Sequence, residues 1–185
     1  MDTTSRRTSR RGIAVDPEGF RASERIAAYE IANSLLTVNI RLQTALGLRP
    51  EELEIFLIIV LATVQRYVRS TDPDPSFLDR TALPPHLAGF TSRRRIADVS
   101  GVPLETVRRH VARLMDRNLI VERGRGRLST PGGTLSRLAE TGVPIFAAAE
   151  FALLADTMLR RGIYRWSEPR SGGSAAGAGE PRPRS

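Results

Sequence analysis

The residues with the clearest chemical potential are arginines at two spacings. Within residues 103–118, Val107, Val111, Leu114 and Met115 recur at the helical period and mark one inward face. Glu105, Thr106, Arg108, Arg109, Ala112 and Arg113 therefore fall on or beside the opposite face. A guanidinium presented by a rigid helix can bond guanine O6 and N7 in bidentate fashion, or grip a phosphate. Thr106 suits a phosphate or a thymine methyl, whereas Glu105 either accepts from cytosine N4 or repels the backbone. Ten residues further on, Arg123, Arg125 and Arg127 alternate with Gly124 and Gly126. That spacing suits a hairpin tip lying along a phosphate backbone or entering a minor groove.

The neighbouring elements must position these side chains. Ser92 is a natural N-cap for a short helix over residues 93–99, with Arg93 and Arg94 in its first turn and Ile96 and Val99 as its apolar contacts. Ala97 is small enough for a second helix to cross closely. Ser100-Gly101-Val102 supplies a sharp corner, where Gly101 tolerates a positive φ and Val102 plugs the angle. Pro103 then opens the second helix, where its missing N–H costs nothing. After Asn118 the period changes from helical to alternating. Residues 119–123 read as a strand, 124–126 as a tight turn and 127–130 as the returning strand.

Helix, glycine turn, helix and basic hairpin in this order resemble the winged helix-turn-helix of bacterial transcription regulators. The stretch IADVSGVPLETVRRHVARLMDRNLIV is most similar to GntR-type and related winged motifs, with a Gly-Val turn ahead of Thr-Val-Arg-Arg. Carried over residue by residue, the resemblance implies DNA contacts from Thr106, Arg108 and Arg109. Leu104 and Glu105 depart from the family pattern. The placement of helices on both sides of the winged unit is closer to MarR-type regulators, which implies a homodimer with two recognition helices about one DNA turn, roughly 34 Å, apart.

Taken together, the sequence predicts double-stranded DNA as partner. The expected contacts are Ser92, Arg93, Arg94, Pro103, Glu105, Thr106, Arg108, Arg109, Arg113, Arg123, Arg125 and Arg127. The helix over 103–118 would enter the major groove, and the hairpin over 119–130 would be the wing.

The remainder of the 185 residues is organised around this unit. Residues 1–19 read as an arginine-rich arm without fixed structure. Residues 20–46 read as one long helix whose apolar surface is too wide for a single neighbour, ended by Gly47. A second helix follows Arg49-Pro50-Glu51-Glu52, whose acids suit the helix dipole. Its run from Ile55 to Ala62 marks a buried central helix, too short to span a bilayer. Residues 20–70 thus form N-terminal helices for core and dimerisation. Residues 71–133 hold the linker, with a helical turn near Phe77 and Leu78, and the winged unit. Pro131-Gly132-Gly133 is a hinge, and 134–166 contain a helical turn and a final helix over 145–161 that serves dimerisation. Residues 167–185, rich in Gly, Ser, Ala and Pro, read as a disordered tail. The fold class expected is mainly α with a small β-hairpin wing.

Composition narrows the function classes. With 28 basic and 20 acidic residues the formal charge is +8, which favours polyanionic partners. Every basic residue is Arg, so Schiff-base chemistry is excluded, and the lack of Cys excludes thiol catalysis and thiolate metal sites. No phosphate loop, nucleophile elbow or metal-spaced cluster is present, so neither an enzyme, a cofactor nor a metal is expected. His86 reads as a surface residue, and His110 as lying on the packed or boundary side of the second helix and not as a base. Phe56, Tyr29 and Phe146 allow two readings, plain core or the lining of a pocket for a small-molecule effector. The competing function class is a winged-helix module that docks a protein, its arginines merely solvated. The expected setting is a bacterial cytoplasm, with repression as the default mode and no membrane association.

Overall fold

Helix α3, Pro50–Val68, is the element on which the larger part of the chain is built. Pro50 occupies its first turn, where no N–H is needed, and Glu51 and Glu52 complement the dipole. Leu53, Ile55, Phe56 and Ile59 are wholly or almost wholly buried. Burial of each such side chain contributes about 1.5–3 kcal/mol. The expectation of a helix buried on all sides holds for this stretch only in part, since Leu57, Ile58 and Val60 are half-buried and Leu61 is exposed.

The structure, a computed structural model, describes residues 12–70, 74–77, 83–84 and 86–167. These divide into two units, Ala32–Ala152 and a smaller one made of residues 12–31 and 153–167. Helices α2, Glu24–Leu46, and α7, Val143–Arg160, contribute to both. The fold is mainly helical with short antiparallel strand pairs.

In the larger unit, α4 (Arg93–Ser100), α5 (Leu104–Asp116) and a hairpin of β2 (Val121–Glu122) and β3 (Leu128–Ser129) pack on α3. Ile96, Val107, Val111, Leu114, Ile120 and Leu128 share one core with the apolar side of α3. Thr91 joins the hairpin as an isolated bridge, its N–H donating to the Leu128 carbonyl at 2.9 Å and its carbonyl accepting at 2.8 Å. A 3₁₀ turn, Pro75–Phe77, lies within the linker, and Leu78 is outside the described residues. Helix α6, Thr134–Glu140, follows the Pro131-Gly132-Gly133 bend.

The smaller unit departs from expectation. Residues 12–19, expected to belong to an arm without structure, carry strand β1 (Ile13–Val15) and the start of α1 (Pro17–Ala22). The physical reason is a cap: Asp16 Oδ1 accepts from the N–H groups of Glu18 at 3.1 Å and Gly19 at 2.8 Å. The one long helix expected over 20–46 is broken at Ser23, which leaves helical geometry at φ −126° and donates back to Gly19 and Phe20. Strand β1 pairs with β4 (Tyr164–Trp166), in the register Ile13–Trp166, Ala14–Arg165 and Val15–Tyr164. Ala27, Met158 and Ile163 form this unit's own core. Arms 1–11 and 168–185, expected to lack structure, lie outside the described residues.

Gly89 fixes the approach of the linker to α3. Its N–H donates to the Thr63 carbonyl at 2.7 Å, and a Cβ there would strike the Ala62 carbonyl oxygen. Gly89→Ala is therefore expected to destabilise the protein by about 1–3 kcal/mol, read as a lower urea midpoint. An unchanged midpoint would show that this approach is not tight.

Candidate nucleic-acid interface

Local chemistry sets the helix pair as expected, with small shifts of boundary. Ser92 Oγ accepts from the Arg95 N–H at 3.2 Å and caps α4. Its hydroxyl is thus committed to the helix. Ile96 is buried, but Val99, expected as its partner, is 55% exposed and faces outward. Gly101 ends the helix at φ 71°. Ser100 Oγ then accepts from the Val102 N–H at 3.2 Å, and Val102 plugs the corner against the core.

Helix α5 begins at Leu104 and not at Pro103, because Pro103 takes the extended cap conformation at ψ 138°. It ends at Asp116, two residues early, and Asn118 turns the chain out with φ 52°. Val107, Val111 and Leu114 are buried and Met115 half-buried, as their spacing requires. Glu105, Arg108, Arg109, Ala112 and Arg113 are exposed and Thr106 is half-buried. One face anchors the helix while the other is free.

The hairpin is shorter than its sequence suggests, with two paired residues in each strand. Its tip runs through Gly124, Arg125 and Gly126 at φ 59°, 44° and 79°. Two glycines make these left-handed steps at little cost, and Arg125 makes the third at roughly 1–2 kcal/mol. Arg127 does not project freely, because its guanidinium carbon sits 3.4 Å from the centroid of the Phe90 ring.

The expected contact residues separate into engaged and free groups. Arg93 pairs with Glu122 at 2.7 Å, and its hydrogen bond holds that carboxyl below its ordinary value. Arg108 pairs with Glu105 at 2.9 Å on the exposed face, and Arg113 reaches Glu52 at 3.3 Å. Among the described residues, no ion pair engages Arg94, Arg109, Arg123 or Arg125. Two clefts bring the arginines together. One, of about 530 Å³, joins Arg109 and Arg113 to Arg49; the other, of about 330 Å³, joins Arg123 and Arg127 to Arg66.

A polar cluster beneath α5 escaped the sequence reading. His110, expected on the packed or boundary side of its helix, is packed, and it lies between two carboxylates that the sequence did not foretell, with Nε2 3.1 Å from Glu51 and Nδ1 3.4 Å from Glu52. Glu52 is itself buried and accepts from the Arg49 N–H at 3.2 Å. Burial pushes its carboxyl upward, but the Arg49 N–H, Arg113 and His110 together outweigh burial and hold it below the ordinary value of a glutamate. The glutamates and the histidine each stood out in the sequence, yet nothing there joins positions separated by 58 residues. Among the described residues no group of three or more His, Asp or Glu is placed to hold a metal ion, and no helix is long and apolar enough to cross a membrane.

No protein-family model matches the chain, and neither a curated protein nor a solved structure matches it.

A depressed carboxyl stabilises the fold above its unfolded value and loses that contribution as pH falls through the folded one. The contribution of Glu52 is therefore complete at neutral pH and fades below about 4.5. Glu52→Gln should lower the urea midpoint at pH 7 and narrow its gap to wild type at pH 3.5. A gap that stays constant with pH would remove Glu52 from the ionised cluster.

Proposed function

We propose that the chain is a sequence-specific DNA-binding transcriptional regulator of the winged helix-turn-helix type. In this reading α5 enters the major groove and the β2–β3 hairpin is the wing. The observation that carries it is the division of α5, with Val107, Val111 and Leu114 buried while Arg108, Arg109 and Arg113 stand exposed on a helix whose entry is fixed by Gly101. A rigid, arginine-bearing helix face is what base-edge readout demands.

The ion pairs rank the contacts. Arg109 is free and meets DNA without giving up a partner. Arg108 exchanges Glu105 for a phosphate or base at small cost, because an exposed pair is worth about 0–1 kcal/mol. Arg113 stays tied to the buried Glu52 and is the least available of the three. Ser92 acts as a cap, so in this reading Arg94, which no ion pair among the described residues engages, is the donor that the start of α4 offers. No catalytic role, cofactor or metal forms part of this proposal, and repression by occlusion of DNA in the bacterial cytoplasm is the mode it favours.

The larger unit also exposes Leu35, Leu36 and Ile40 on α2 and Ile145 and Phe151 on α7. So much exposed apolar surface supports a second copy as its cover, a homodimer reading an inverted repeat. The same residues favour the competing reading, a module that docks another protein. Of the three aromatic residues weighed as a pocket for an effector, Phe56 is wholly buried core, Tyr29 is 66% exposed, and Phe146 lies under the Arg41 guanidinium at 4.7 Å. They support no effector pocket.

Selection of random duplexes by the full chain should enrich an inverted repeat, and Arg109→Ala should weaken binding to it by about 1–3 kcal/mol. Raising salt from about 50 to 200 mM should cost about three decades of affinity if six or more phosphates are neutralised. Failure to bind any duplex at low salt would transfer the chain to the protein-docking class.

A further inference from the structure

The cleft at the base of the hairpin differs from the rest of the surface in one respect. Arg66 from α3 and Arg123 and Arg127 from the hairpin converge on it, with His86 beside them, and among the described residues no carboxylate lines it. Like charges gathered in one cavity repel unless an anion joins them. Two of the three guanidinium groups are already held in place without one. Arg66 donates to the His86 carbonyl at 3.5 Å, and Arg127 rests on the Phe90 ring.

A second observation comes from the wall of the same cleft. Ser129 is 2% exposed, and its Oγ is the one buried side-chain nitrogen or oxygen among the described residues that has no hydrogen-bond partner. A buried hydroxyl left unmatched is costly. It is found on the strand that the Thr91 bridge and the Val121–Ser129 pairing hold rigid. Its neighbour Thr130 shows the contrast, since the Thr130 N–H donates to Thr63 Oγ1 at 3.1 Å.

We infer that this cleft is a binding site for a phosphate group. A tetrahedral oxyanion supplies the missing negative charge, acceptor oxygens for three guanidinium groups, and a partner for the Ser129 hydroxyl once a χ1 rotation turns its enclosed Oγ toward the cleft. The cavity of about 330 Å³ is large enough for a phosphate with a small organic substituent. The phosphate comes either from a nucleic-acid backbone or from a free phosphorylated small molecule. The chemistry of the site is the same for both, and it stands whether or not α5 reads DNA.

The test uses the isotope-labelled full chain titrated with inorganic phosphate, with chloride at matched ionic strength as control, and amide shifts of Gly89 and Ser129 as readout. Two variants accompany it. Arg66→Gln should weaken phosphate binding about tenfold. Ser129→Ala should weaken it severalfold while leaving the unliganded melting temperature unchanged or raised, because it deletes an unmatched hydroxyl. A parallel arm measures duplex DNA affinity of wild type and Arg66→Gln against salt. Saturable phosphate binding that both variants weaken supports the site with a free phosphate as its ligand. No free-phosphate binding, but a duplex affinity that Arg66→Gln lowers with a salt slope reduced by about one, supports it with a backbone phosphate. Phosphate shifts that chloride reproduces, together with duplex binding that is absent or insensitive to Arg66→Gln, overturn the site. So does phosphate binding that neither variant weakens. Because the phosphate arm needs no DNA, loss of the DNA reading and loss of this site are separate results.

Discussion

A buried carboxylate governs how α5 is presented. Glu52 accepts from the Arg49 N–H at the head of its own helix and meets both His110 and Arg113 from α5. An ionised carboxyl at 7% exposure is tolerable only with its partners in place, so this contact fixes direction as well as distance. The apolar contacts of Val107 and Val111 permit some sliding, as packing of similar volumes does. The hydrogen bonds permit far less. The angle at which α5 presents its exposed face is therefore set from behind, by a carboxylate that is itself buried.

The arginines serve two different ends, and formal charge alone does not separate them. Arg117 donates to the Leu46 and Gly47 carbonyls at 2.5 and 3.0 Å, closing the end of α2, and Arg137 donates to the Asn118 carbonyl at 3.2 Å. These satisfy backbone acceptors that a helix end or a turn leaves open. Arg41 lies on the Phe146 ring. A sizeable part of the positive charge thus fastens elements to one another. What remains for a polyanion is a smaller set, Arg94, Arg109, Arg123 and Arg125 among it.

Features encoded within a few residues were legible in the sequence. The Ser92 cap, the Gly101 corner, the inward row on α5 and the glycine-flanked hairpin turn each depend on neighbours only. Asp16-Pro17-Glu18 carried the same kind of signal for α1, but it lay in a stretch whose arginine-rich composition suggested an unstructured arm. Features that join distant positions were not legible. Strands β1 and β4 have three residues each and no alternation long enough to stand out. The pairing of Arg93 with Glu122 and the clasp on His110 depend on how the helices cross, which spacing along the chain does not encode. Ser129 gave no signal at all, since its lack of a partner exists only once β3 is packed.

The pairing of β1 with β4 has a mechanical consequence. Gly12 and Ser167 sit side by side at its end, the Gly12 N–H donating to Ser167 Oγ and the Ser167 N–H to the Gly12 carbonyl. The two points where the described chain enters and leaves are thus held by one short ladder, across 155 residues of sequence. Tension applied at those two points opens the ladder one rung at a time, like a zip, and each rung resists alone. The helices of the larger unit carry no load until the ladder has parted, so the pair works as a mechanical fuse, and joining residues 12 and 167 by a short linker would bypass it.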